Sequence, residues 1–185
     1  QTETSETEGA HSDWLDFTTL EIKGKALQFT ETRVLGLRGN ENDECHEIKV
    51  KPGMFSVQCK VVSFGSEGRI AAMRAFPQGA SCTRGEQVSE IPVDLGGVSV
   101  VDIATVDTSM RKNEDDYEEW LEEIVFEGDY DVPVSIHEWE PTGTSIAIAD
   151  GGFGDGVYPL YELMSEGKVV GLEVEFIEEG AEYPF

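Results

Sequence analysis

The sequence predicts an α+β domain, mainly β, built from antiparallel sheets or a sandwich with one amphipathic helix. Three observations carry this reading. Short apolar segments, some alternating strictly with polar residues, recur between turns rich in glycine, aspartate and proline. Only residues 113–125 repeat their apolar positions with a helical period. A parallel, doubly wound sheet would need several further helices for its crossovers. The 185 residues suffice for one domain burying about 70% of its unfolded surface.

Residues 1–12 are polar, acidic and aperiodic, the composition of a disordered tail, and the domain is expected over 13–185. Trp14, Phe17 and Leu20 are its first apolar residues. Segments 20–22 and 26–29 flank Lys23, Gly24 and Lys25 and read as a hairpin with glycine in the turn. Residues 39–44 read as a loop. Segments 54–62 and 69–76 form the longest strand pair, in which Phe55, Val57, Cys59 and Val61 alternate with Ser56, Gln58 and Lys60, so that one face is buried and the other wet. Residues 77–86 read as loop, and 91–93 and 98–103 as short strands around Asp94 and its glycine pair.

In the helix, Asn113 is an N-cap candidate, and Glu114, Asp115 and Asp116 place negative charge at the positive end of the dipole. Tyr117, Trp120, Leu121 and Ile124 follow at i, i+3, i+4 and i+7, one apolar stripe on an otherwise acidic helix. After Gly128, strands resume over 132–139, 144–149, 157–164 and 168–176, the last two joined by the tight-turn residues Ser165, Glu166 and Gly167.

Charge is the compositional outlier: 38 Asp and Glu against 13 Lys and Arg give a net charge of -25. Such a field repels nucleic-acid phosphates and anionic lipid and attracts basic proteins or cations. Nucleic acid and membrane are therefore excluded as partners, and no apolar run approaches the ~18 residues of a membrane helix. Cys45, Cys59 and Cys82 cannot all pair within the chain and form no CxxC, so they read as reduced thiols of a cytoplasmic protein. Cys45 and His46, adjacent on a strand, point to opposite faces and make a poor metal pair.

Four features could carry chemistry. The loop 150–156 holds four glycines and two carboxylates; its Asp150 and Asp155 are candidate calcium ligands or, alternatively, turn residues bonded to backbone amides. Asp94, Asp102, Asp150 and Asp155 all fall at strand ends or turns, where convergence would give a shared proton or a cation site of the kind a hydrolase uses. His137, followed by Glu138, lacks the second histidine of HExxH because residue 141 is proline. Finally, the helix carboxylates, the tail, and Glu173, Glu175, Glu178, Glu179 and Glu182 could form one negative surface. No nucleophile with its base, no phosphate loop and no complete metal signature is present.

Several motifs fall in a fixed order: 51–57 with Lys51, Pro52 and Gly53; 69–74; Val93, Asp94, Leu95 and Gly96, followed by Asp102; 152–161; and 171–176. Taken together they resemble a bacterial family of domains of unknown function, the DUF4241 type, over about residues 50–177. The specific piece is GFGDGxYPxY, with Gly152, Gly154, Asp155, Gly156, Tyr158 and Pro159 as its structural positions. The resemblance implies a β-rich domain in which Asp94, Asp102 and the Gly154-Asp155-Gly156 turn recur, and it implies no activity. The first 50 residues and the high acidity depart from it.

The expected function is a non-enzymatic acidic binding protein without a cofactor. By analogy of type, it would be an immunity-type inhibitor that occludes a basic bacterial toxin through Glu114, Asp115, Asp116, Glu118, Glu119, Glu122 and Glu123. The alternatives are a hydrolase or cation-dependent enzyme using the four aspartates, and a calcium-stabilised structural domain.

Overall fold

In the computed structural model, which describes residues 8–34, 45–94, 97–126 and 133–184, the alternating segments sort into antiparallel strands. In chain order these are β1 (Ala10–His11), β2 (Leu15–Ile22), β3 (Ala26–Glu31), β4 (Cys45–Lys49), β5 (Gly53–Phe64), β6 (Glu67–Pro77), β7 (Thr83–Val93) and β8 (Val98–Asp102). Two short helices follow, α1 (Ile103–Thr108) and α2 (Glu114–Leu121), the second running into a π-helical turn at Glu122–Phe126. The chain closes with β9 (Val134–Trp139), β10 (Thr144–Ala149), β11 (Gly156–Ser165) and β12 (Lys168–Glu175).

The strands form two sheets. A seven-stranded sheet, curled as a half-barrel, runs β1-β5-β6-β12-β11-β7, with β2 also paired to β5; a five-stranded sheet runs β4-β3-β8-β10-β9. Their inner faces share one core, in which Leu27, Phe29, Val98 and Val100 of the smaller sheet meet Phe55, Val57, Leu160 and Val174 of the larger. The smaller sheet is covered on its outer face as well: Val101, Ile146, Ile148 and Trp139 pack against Val106, Met110, Tyr117 and Leu121 of the helical layer. With both faces covered, 98–102 and 146–149 are buried at every position rather than at alternate ones.

Between β2 and β3 the chain does not turn back on itself. It leaves the larger sheet and enters the smaller one, with β2 paired to β5 and β3 to β8 and β4. The predicted hairpin at Lys23–Lys25 is thus a corner between sheets, and Asp102 holds it. This buried carboxylate accepts the backbone N–H groups of Lys23 (2.8 Å) and Gly24 (3.1 Å) through Oδ2, and that of Ala104 (3.1 Å) through Oδ1, so it also caps α1. Gly24 is required here because a Cβ would lie 2.7 Å from Asp102 Oδ1 and from the Ala104 side chain.

Other expectations also change. The predicted tail is ordered from residue 8: Glu8 bridges to Glu182, β1 pairs with β5, and His11 Nε2 lies 3.0 Å from the carbonyl of Ile177. Residues 1–7 and the predicted loop at 39–44 lie outside the described residues. The last four residues of the predicted loop 77–86, from Thr83 on, belong to β7, which pairs with β11 as an edge strand. The hairpin of β11 and β12 is as expected, with positive φ at Glu166 (51°) and Gly167 (76°) matching the right-handed twist of the strands.

The corner yields a first prediction. Asp102→Ala leaves three backbone donors without their acceptor and should lower unfolding free energy by about 3–5 kcal/mol. Asp102→Asn, which keeps one acceptor oxygen, should lose about half as much. Urea denaturation measures both, and an alanine variant within about 1 kcal/mol of the parent would show that the corner does not depend on this carboxylate.

Candidate functional site

Helix α2 buries Tyr117 and Leu121 and turns Glu114, Asp115, Asp116, Glu118 and Glu119 outward, with Glu122 and Glu123 exposed on the turn that follows. The apolar stripe is as predicted, but the N-cap is not. Asn113 occupies the position while its Nδ2 donates to the Ser109 carbonyl at 2.7 Å, and its side chain makes no capping bond. The three first-turn carboxylates stand at the positive end of the helix dipole.

Ring contacts and indole hydrogen bonds fix the helix to the sheet. Tyr117 OH donates to the carbonyls of Thr32 and Arg33, Trp120 Nε1 to that of Glu138, and Trp139 Nε1 to Ser109 Oγ. Trp120 meets Trp139 edge-on, with centroids 5.8 Å apart. A cleft of about 360 Å³ opens beside them, lined by Asp116, Glu119, Trp120, Glu123, Trp139 and Glu140. Carboxylates around an indole wall suit a cationic side chain, which gains from both.

Five of the described cations are paired with other carboxylates. Arg33 pairs with Glu31 and Asp94, Lys60 with Glu179, Arg69 with Glu67, Arg84 with Glu173 and Glu175, and Arg111 with Asp107. Among the described residues, Asp115, Asp116, Glu118, Glu119, Glu122 and Glu123 have no ion-pair partner.

The four aspartates have separate partners. Asp102 is consumed by the corner, and Asp94 is exposed and pairs with Arg33 at 3.2 Å. Asp150 and Asp155 share the rim of the glycine loop, where Asp150 has its carboxyl raised by surrounding protein, against the pull of Arg69 and with a further push from Asp155. Gly97 does lie beside Asp150: a Cβ on it would sit 2.3 Å from the Ala149 carbonyl oxygen and 3.2 Å from the Asp150 Cα. The carboxylates of the two Asp-Gly turns nonetheless go to different arginines or to none. Among the described residues no group of three His, Cys, Asp or Glu side chains is placed to hold a metal.

The glycine loop is moulded on aromatic rings. A Cβ on Gly151 would penetrate the Phe176 ring at 2.2 Å, and Gly152 and Gly156 lie against the Tyr158 ring. Tyr158 OH donates to the Gly154 carbonyl, Arg69 Nη1 to the Gly152 carbonyl at 3.2 Å, and the Arg69 guanidinium lies 4.9 Å from the Phe153 ring centre. Gly152 and Gly154 adopt φ of 64° and 103°, open to glycine at little strain. Pro159 follows on β11 at a position paired with Glu90 of the edge strand.

Sequence reasoning missed the outer face of the larger sheet. Asp16, Gln58, Arg74, Glu173 and Arg84, from five strands, form a polar row across it, with Arg84 stacked 4.1 Å from the Tyr161 ring centre. Glu173 and Glu175 were expected on an acidic surface. Instead Glu173 is buried, 3% exposed, and accepts from Arg84 Nε at 2.6 Å, while Glu175 accepts from Arg84 Nη2 at 2.8 Å. The available signal was a charged residue inside the apolar run 171–176, but its partner lay in a stretch that reads as loop.

The cysteines keep their expected character where described: Cys59 is buried, its thiol pushed up to about 12 by burial, and Cys82 is also free, its thiol raised by burial. His137 Nε2 lies 2.7 Å from Ser135 Oγ, with the ring pKa lowered by burial. No helix among the described residues is long and apolar enough to cross a membrane. Compared with protein-family profiles, with curated proteins and with solved structures, the chain finds no match.

Burial pushes the Glu173 carboxyl above its ordinary range, against the pull of Arg84. A carboxyl raised in the fold binds its proton more tightly there than in the open chain. Its contribution to stability is full below the unfolded carboxylate range and is lost as pH rises through the folded value. Relative to Glu173→Gln, the parent should therefore lose stability as pH rises above the ordinary carboxylate range. Urea melts at three pH values test this; a parent that gains on the variant as pH rises would mean that the attraction of Arg84 outweighs burial.

Proposed function

We propose that this chain is a non-enzymatic binding protein for a basic protein, docking it on the carboxylate face of α2 and its following turn. The observation that carries this reading is the cleft and its rim: six carboxylates of this face have no ion-pair partner among the described residues, and three of them, Asp116, Glu119 and Glu123, line a cleft walled by Trp120 and Trp139. A lysine or arginine of the partner would enter the cleft between Asp116, Glu119, Glu123 and Glu140 and lie on the Trp120 ring. The remaining carboxylates would steer the encounter and pair with the surrounding cations.

Occlusion of a cationic active cleft is the mode of action that fits such a face, which supports reading the chain as an immunity-type inhibitor of a basic toxin. A rigid helix with a preset row of carboxylates loses little on binding, because the stripe of Tyr117, Leu121 and Trp120 already fixes its orientation.

The test uses a panel of basic ribonuclease- and deaminase-like toxins, with affinity measured by calorimetry at about 50 and 300 mM salt. One of them should bind, with affinity falling steeply at the higher salt. The variant Glu118→Lys/Glu119→Lys/Glu122→Lys should weaken that binding at least about tenfold, and Glu178→Lys/Glu182→Lys by less than about threefold. Binding to none of the panel, salt-insensitive binding, or equal loss in both variants would contradict the proposal.

A further inference from the structure

The polar row on the outer face of the larger sheet borders a pocket of about 350 Å³ on the side of the two-sheet stack opposite α2, lined by Trp14, Lys60, Arg74, Arg84, Glu173 and Glu175 among others. Three of the chain's 13 Lys and Arg residues meet there. We propose that this pocket binds a small organic monocarboxylate, its carboxylate on the Nη1–Nη2 edge of Arg74 and its body against Trp14.

The assignment rests on how the three cations are satisfied. Arg84 is held by Glu173 and Glu175, and Lys60 Nζ lies 3.7 Å from Glu179. Arg74 differs. Its Nε and Nη2 both donate to Oε1 of Gln58, at 2.9 and 2.7 Å, and that neutral amide in turn donates to Asp16. Its cross-strand neighbour Glu173 is committed to Arg84. Among the described residues Arg74 has no carboxylate within ion-pair reach, and Nη1 has no hydrogen-bond partner although it is not a buried atom. A guanidinium with one long edge occupied and its end still open can receive a planar carboxylate through two parallel N–H bonds.

The surroundings fix that edge and select the ligand. The guanidinium lies 4.2 Å from the Trp14 ring centre and 5.1 Å from that of Phe76, so its plane is set by packing. Burial lowers the Arg74 pKa from its ordinary value, a cost that a bound anion would offset. Lys60 Nζ, 5.0 Å from the Trp14 ring centre, adds a second positive charge on the indole. Glu173, Glu175 and Glu179 on the other wall disfavour a dianion such as phosphate, and the indole favours a ligand with an apolar body. The volume lies in the range of small-molecule pockets.

Trp14 also provides the readout. The indole N–H resonances of the three tryptophans are followed by NMR while acetate, benzoate, benzamide or inorganic phosphate is added to the whole chain. Benzoate should shift the Trp14 resonance saturably and acetate more weakly, with Trp120 and Trp139 unmoved; benzamide and phosphate should act at least about tenfold more weakly than benzoate. Arg74→Gln should reduce the benzoate affinity at least about tenfold, with the Trp120 and Trp139 resonances reporting an intact fold. Should that variant unfold, Arg74→Lys, which keeps the charge without the fork, should weaken benzoate about tenfold. The proposal is overturned if benzoate gives no saturable shift, if phosphate or benzamide matches it, or if the folded Arg74 variant binds as the parent does.

Discussion

One carboxylate determines how the chain is laid out. Asp102 receives three backbone N–H groups at the corner where the chain leaves one sheet for the other, and the same group starts α1. Without an acceptor there, the N–H groups of Lys23 and Gly24 would be left facing protein at a cost comparable to a lost hydrogen bond each. With it, β3 enters beside β8, the smaller sheet is sandwiched between the larger sheet and the helices, and α2 is carried onto the outer face with its acidic side to solvent.

That arrangement explains where the charge goes. A chain with 38 acids and 13 bases cannot neutralise itself, and three of its arginines are placed where burial makes them matter. Arg84 accompanies a buried Glu173, Arg33 a buried Glu31, and Arg69 the glycine loop. An unpaired buried carboxylate would cost far more than an exposed one, so arginines accompany the buried acids and the surplus acids remain outside. The acidic helix face follows from this allocation, and so does the exposed end of Arg74, whose neighbour Glu173 is already taken.

The sequence made some of this legible. The helical stripe of Tyr117, Trp120, Leu121 and Ile124 was readable because a 3.6-residue period needs only one neighbour to pack on. The pair β5 and β6 was readable because one face is core and the other wet. The corner at Gly24 was not, since two strands with glycine between them look alike whether they pair together or part into different sheets. Helix α1 was hidden by its β-branched Ile103, Thr105, Val106 and Thr108, poor helix formers overridden by the Asp102 cap and the burial of Val106. The first eight residues of β7 were hidden because none of them is buried on either face, so no alternation marks them. Of the candidate sites, the exposed carboxylates could be read from helical spacing alone, whereas the row through Arg74 and Glu173 joins strands far apart in sequence and has no local signature.

The claim on which the functional account turns is that α2 and the turn after β9 form the docking face. Hydrogen exchange followed by mass spectrometry, on the chain alone and with any toxin found to bind it in the salt-dependence assay, tests this directly. The account expects added protection over 114–123 and 139–141, with the outer face of the larger sheet unchanged. Protection centred on β6, β7 and β12, with α2 unaffected, would contradict it.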